Sequence, residues 1–218
     1  MLLKIENIKK SYGKTDVLKS ISLSVAENES LAIVGSSGSG KSTLLYILGA
    51  LEKVDAGQIL INGIELAKMN DEELANFRNI NIGFVFQFHF LLPSMTCLDN
   101  ALLPAKIGGH KVKEIKKRVL EFAETLGVTH CLKKFPYEIS GGEQQRINII
   151  RAISLSPKLI LCDEPTGNLD SKNTVVVMNL LKDVANKVGA TLIVVTHDVS
   201  VADSFNRKIT IEDGQIIS

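Results

Sequence analysis

Hydrophobic positions follow two rhythms along the chain. Ile21, Leu23 and Val25 alternate with serines, the two-residue period of a half-buried strand. Leu31-Ala-Ile-Val34 and Leu159-Ile-Leu-Cys162 are short unbroken apolar runs, as expected of strands covered on both faces of a parallel sheet. Ile82–Phe86 and Thr191–Val195 read as further strands. Two segments carry hairpin signals: Ile59-Leu-Ile61 with Asn62-Gly63 and Ile64, and Ile209-Thr-Ile211 with Asp213-Gly214 and Ile216-Ile217. Between them lie helical patterns. One starts near Lys41 and runs through Leu44, Leu45, Ile47 and Leu48, and another follows the capping pair Asn70 and Glu73. In a third, Val112, Ile115, Val119, Phe122 and Leu126 share a face and Gly127 stops the run. Its other face, Lys113, Glu114, Lys116, Lys117, Arg118, Glu121 and Glu124, reads as solvated. A helix is expected to begin after Gly142, and another to run from Val175 to Val188, closed by Gly189. The sum is one α/β domain, with a core of residues 1–87 and 157–218 interrupted by a helical lobe over about 88–156.

Composition narrows the class. The chain has 218 residues, 45% of them hydrophobic, enough for one large domain that folds alone. With 25 Lys plus Arg against 24 Asp plus Glu, no field of one sign covers it, so nothing points to nucleic acid. Cys97, Cys131 and Cys162 are far apart with no C-x-x-C spacing, so reduced cytosolic thiols are expected rather than a zinc site or disulfides. Charges recur from Lys4 onward, unlike a secretory signal. The longest charge-free stretch, between Arg78 and Asp99, contains Asn79, Asn81, Gln87, His89, Pro93 and Ser94 and is a poor membrane span. Any membrane role is therefore expected to go through a partner.

Two motifs carry chemistry. Gly35-Ser36-Ser37-Gly38-Ser39-Gly40-Lys41-Ser42 matches G-x-x-x-x-G-K-[ST], follows an expected strand and opens an expected helix. The glycines let backbone N–H groups, up to those around Thr43, turn toward a phosphate at a helix N-terminus. Lys41 adds a full positive charge, and the Ser42 hydroxyl suits Mg²⁺. A bare turn would not need a Lys-Ser pair in register with a strand and a helix. The second motif is Asp163-Glu164 at the carboxyl end of a buried strand, the edge at which open α/β sheets bind ligands. Asp163 suits Mg²⁺. Glu164, facing the other way, suits a general base for an attacking water.

With these motifs the chain resembles a nucleotide-binding domain of the ABC transporter family over essentially its whole length. The resemblance implies a RecA-like P-loop NTPase core with an antiparallel β subdomain and an inserted α-helical subdomain, using ATP and Mg²⁺. Tyr12 resembles the aromatic that stacks on adenine, and Gln87 the glutamine that faces metal and water. Ile139-Ser140-Gly141-Gly142-Glu143-Gln144 resembles the family signature, Asn168-Leu-Asp170 the loop that follows the acid pair, and His197 the histidine that touches the γ-phosphate. Ile139 stands where Leu is usual and Glu143 where many members have Gln. Asn186-Lys187-Val188-Gly189 lacks the Asp of a guanine-reading motif, which disfavours a GTPase.

Ser140-Gly141-Gly142 before a helix is a second place that invites phosphate, yet the chain has one Lys-Ser set and one acid pair. The resemblance resolves this: each signature closes over the nucleotide of a second copy, giving a homodimer on ATP binding. Within the family, Phe86–Asn100 and Pro165-Thr-Gly-Asn-Leu-Asp170 resemble the branch of ATPases serving lipoprotein release, macrolide export and cell division. That branch implies integral membrane permease subunits, peripheral attachment to the cytoplasmic side of the bacterial inner membrane, and a groove for the permease lined by His89–Asn100. Lipoprotein release is the leading expectation. Regulation of a periplasmic hydrolase through a membrane partner, or macrolide or peptide export, are the alternatives. A soluble role in DNA repair or translation is disfavoured by the short helical lobe.

Overall fold

The computed structural model describes residues 1–217. Two strands open the chain: β1, Leu3–Tyr12, and β2, Thr15–Val25, pair antiparallel. Sequence periodicity does not reveal β1, because a bulge at Asn7, held at φ 51°, shifts the register between Ile5 and Ile8 and breaks the alternation. β3, Ser30–Val34, leads into α1, Lys41–Leu48. The first hairpin is β4, Ala56–Ile61, and β5, Ile64–Glu65, across a turn whose Asn62 and Gly63 both have positive φ. Asn70 and Glu73 form a reciprocal capping box on α2, Asp71–Asn81. β6, Ile82–Phe86, follows.

From there to β7, Leu159–Asp163, no strand intervenes among the described residues. The segment holds α3, Cys97–Ala101; α4, Leu103–Ile107; α5, Val112–Thr125; and α6, Gly141–Ile153. α5 follows the heptad-like pattern of its sequence. α6 begins earlier than expected, with Gly141 already helical, because Ser140 and Glu143 make a capping box that brackets the two glycines. α7 spans Ser171–Val188. It starts before Val175 because Asp170 caps it, its side chain accepting the Asn173 N–H. β8, Thr191–Val195, α8, Val199–Asp203, and the closing hairpin β9, Arg207–Glu212, and β10, Gln215–Ile216, complete the fold.

The strands make a four-stranded antiparallel sheet, β2-β1-β4-β5, and a six-stranded sheet, β10-β9-β3-β8-β7-β6, parallel except for the β10 edge. The central strands are apolar throughout because both faces are covered. Leu31, Ile33, Leu159, Leu161, Ile193 and Val195 pack toward α1 and the antiparallel sheet. Their neighbours Ala32, Ile160, Cys162, Leu192 and Val194 pack toward α6, α7 and the helical segment. The carboxyl ends of β3, β7 and β8 thereby come together at one edge.

Candidate active site

The loop between β3 and α1 is shaped by steric limits. Gly35, Gly38 and Gly40 all have positive φ, and Gly40 caps α1 in the left-handed region. A Cβ on Gly35 would sit 2.1 Å from the Ile211 carbonyl oxygen, and one on Gly40 2.9 Å from that of Val17. The Lys41 ammonium, buried by the loop, donates to the carbonyls of Gly35 at 2.9 Å and Ser36 at 2.7 Å. Burial pushes its pKa below the ordinary lysine range, opposed by the charges of Glu164 and Asp163. Ser39 Oγ is buried with no hydrogen-bond partner among the described residues. Nearly every buried hydroxyl finds a partner, so this one fits a loop built to close on phosphate oxygens.

Across the sheet edge, Ser42 Oγ donates to Asp163 Oδ1 at 3.0 Å. Tyr46, one turn along α1, donates to Asp163 Oδ2 at 2.9 Å. Burial, with Asp163 beside it, pushes the Tyr46 phenol up to about 12, so it stays a donor at neutral pH. Ser42, Asp163 and the Gln87 amide offer the hard oxygen donors that Mg²⁺ prefers. Gln87 leaves the end of β6 and packs against Gly167, where a Cβ would meet its Nε2 at 2.8 Å.

Glu164 immediately follows β7 with φ 47°, a left-handed conformation that costs a non-glycine residue roughly 1–2 kcal/mol. Such strain persists where the surroundings impose it, as at active sites. Here Glu164 N–H donates to Val195 O at 3.0 Å, anchoring the kink to β8. The kink brings Glu164 Oε1 to 2.7 Å from Nδ1 of His197, whose side chain is 70% exposed. Against a carboxylate, Nδ1 carries the proton, which leaves Nε2 facing outward.

A profile of the ABC transporter family matches residues 18–167. The chain belongs to the ABC transporter family. It is an ABC ATPase subunit. The lipoprotein-releasing system ATP-binding protein LolD of Cytophaga hutchinsonii is 44% identical over 216 residues, covering 99% of both chains. Its namesake in Geobacter metallireducens is 45% identical over 221 residues, covering 100% of this chain and 98% of that one. A dimeric structure of MJ0796, described as a bacterial ABC transporter cassette, superposes with a TM-score of 0.90 at 39% identity, covering 100% of this chain and 97% of that one. A post-hydrolysis dimer of MJ0796 bound to ADP and Pi gives 0.87 at 37% identity with the same coverage.

Not all the family motifs meet in this ABC ATPase subunit. The phosphate loop, Asp163, Glu164 and His197 share one edge. Tyr12 lies exposed at the end of β1, with Lys10 Nζ 5.3 Å from its ring centre. Ser140 and Gly141 face solvent at the start of α6, and Ser140 bonds Glu143. The Gln144 amide turns inward, donating to the carbonyls of Pro136 at 3.0 Å and Ile139 at 3.3 Å. A groove of about 460 Å³ runs between α2, β6, α4 and α6. Its walls include Phe84, Phe86, Phe90, Leu103, Ile107 and Arg151, and of residues His89–Asn100 only Phe90 lines it. Asn100 is instead fully buried, bonding Leu92 N–H and the carbonyls of Leu92, Met95 and Thr96.

Tyr46 and Arg151 escaped sequence reasoning because no motif marks them. Arg151 on α6 donates to the carbonyls of His89 and Phe90, each at 2.7 Å, and to Asn148 Oδ1 at 2.9 Å. Among the described residues no carboxylate pairs with it, and burial pulls the guanidinium down to about 10, still charged at neutral pH.

Proposed function

We propose that the chain works as an ATP- and Mg²⁺-dependent homodimer that drives a membrane permease for lipoprotein release, held on the cytoplasmic side of a bacterial inner membrane. The observation that carries the chemistry is the convergence of Ser42 on Asp163 and His197 on Glu164 beside one phosphate loop. Tyr12 stacks on adenine, and the amides of Gly35–Thr43 with Lys41 hold the phosphates. Ser42, Asp163 and Gln87 hold Mg²⁺, which when bound neutralises charge on the phosphate oxygens. Glu164 accepts the proton of the attacking water. His197 fixes that carboxylate through Nδ1–H and, protonated on both ring nitrogens in the nucleotide complex, donates Nε2–H to a γ-phosphate oxygen.

Ser140, Gly141, Gly142 and Gln144 complete the site of the second copy, which explains why Ser140 and Gly141 stand open to solvent here. Gln144 joins that site after turning from its present carbonyl partners. In this reading residues 1–87 and 157–218 form the nucleotide-binding core and 88–156 the lobe that carries the signature. The dimeric form of the MJ0796 cassette supports the pairing. Full-length similarity to lipoprotein-releasing ATP-binding proteins favours that system over export or cell-division signalling.

The test of pairing is light scattering on Glu164→Gln. ATP with Mg²⁺ should convert monomer to dimer, and a persistent monomer refutes the pairing. Pull-down from detergent-solubilised membranes, read by mass spectrometry, should recover a permease with few spanning helices and a large extracytoplasmic domain. Recovery of a cell-division or exporter subunit overturns the lipoprotein assignment.

A further inference from the structure

We infer that His130, Cys131 and Glu143 form a site for a thiophilic divalent cation of the zinc class, one carboxylate away from Ser140. His130 and Cys131 lie in a single helical turn, Thr129–Cys131, after α5, and Glu143 lies in the first turn of α6. Spacing along the sequence gives no hint of such a site; the fold assembles it. His130 Nε2 stands 2.7 Å from Glu143 Oε1 and 3.4 Å from Cys131 Sγ, and the three ligand atoms lie within 4.8 Å of one another.

Imidazole nitrogen, thiolate sulfur and carboxylate oxygen are the donors that zinc takes. Tetrahedral zinc, with bonds of about 2.0–2.3 Å, sets nitrogen and sulfur roughly 3.5 Å apart and nitrogen and oxygen roughly 3.3 Å apart. The sulfur–nitrogen edge therefore already has ligating length. The nitrogen–oxygen edge must open by roughly 0.6 Å, and the His130 side chain, 58% exposed, is free to do so.

The site is closed at the back and open at the front. Cys131 is fully buried, the Glu143 side chain is 20% exposed, and a fourth position faces solvent beside His130. Without a cation, the imidazole donates Nε2–H to the Glu143 carboxylate, and the Cys131 thiol lies against the same ring nitrogen. On binding, the Cys131 S–H bond breaks, its proton leaves to solvent and Sγ bonds the cation. His130 releases its Nε2 proton to solvent, takes one from solvent at Nδ1 and binds through the freed Nε2 lone pair, and Glu143 binds through Oε1. The sulfur selects Zn²⁺, Co²⁺ or Cd²⁺ over Mg²⁺, so the site is distinct from that of the nucleotide cation. Glu143 Oε2 stays on Ser140, accepting from its N–H at 2.8 Å and its Oγ at 2.7 Å. Occupancy is thus felt at Ser140; that consequence alone rests on Ser140 being a nucleotide contact.

The experiment is Co²⁺ titration of the reduced, nucleotide-free chain, followed by thiolate-to-cobalt charge-transfer absorption. A stoichiometric band is expected that Zn²⁺ abolishes and excess Mg²⁺ does not. Cys131→Ser should remove it. His130→Ala, at an exposed position that leaves the core intact, should weaken Co²⁺ binding at least about tenfold. No band in the wild-type chain, a band surviving Cys131→Ser, displacement by Mg²⁺, or unchanged affinity in His130→Ala each overturns the proposal. ATP binding is measured separately on the metal-free protein, so either reading can fail alone.

Discussion

Tyr46→Phe removes one hydroxyl and keeps the ring. That hydroxyl donates to Asp163 Oδ2 at 2.9 Å, while Ser42 holds Oδ1 at 3.0 Å. Asp163 is buried, so water is a poor substitute for either donor. When Ser42 serves as a ligand to Mg²⁺, Tyr46 remains as the side-chain donor that keeps the carboxylate aimed. The loss therefore falls on the metal-loaded state more than on the empty one. A hydrogen bond to a charged group contributes about 1.5–3 kcal/mol, and about 1.4 kcal/mol is a factor of ten in an equilibrium constant. The Mg²⁺ concentration for half-maximal phosphate release should rise about tenfold, with the apparent ATP affinity at saturating Mg²⁺ little changed. Mn²⁺ titration followed by electron paramagnetic resonance, with a non-hydrolysable ATP analogue, should show the same weakening independently of turnover. An unaltered metal dependence in both measurements, from a variant that melts like the wild type, refutes the reasoning.

Four other outcomes are expected. Glu164→Gln should retain ATP binding, measured by equilibrium titration, while phosphate release falls on the order of 10²-fold or more. Lys41→Ala removes the charge beside the phosphates and should weaken ATP binding in the same titration. His197→Ala should slow turnover with an unchanged melting temperature, because its side chain is mostly exposed; a large drop in melting temperature would assign it a structural role instead. The Ser140 cap and His130 hold the Glu143 carboxyl down at about 2, so its contribution to stability is complete above about pH 4.5. That contribution is lost as pH falls from there toward about 2, and Glu143→Gln should flatten this part of the acid-denaturation curve.

Much of the fold is legible where local rules and tertiary context agree. The apolar runs of β3, β7 and β8 predict a sheet covered on both faces, and the two cores on its opposite faces are the reason the runs are unbroken. The capping pair at Asn70 and the Asn62-Gly63 turn announce themselves because their chemistry is contained within a few residues. β1 is hidden because the bulge at Asn7 disrupts its period. α3, α4 and α8 are too short to show periodicity. The same division runs through the active site. The phosphate loop and the acid pair are contiguous in sequence, whereas Tyr46 meets Asp163, 117 positions away, only after folding. The cluster of His130, Cys131 and Glu143 depends in the same way on α6 returning to the end of α5.

Arg151 grips the main chain of residues 89 and 90 rather than any side chain they carry. Carbonyl oxygens are the same in every amino acid, so this strut is indifferent to substitution at the two positions it holds. A lineage could recast His89 and Phe90 to suit a different docking companion and leave the tie to α6 intact. Replacing the guanidinium would instead sever that tie for every such companion at once.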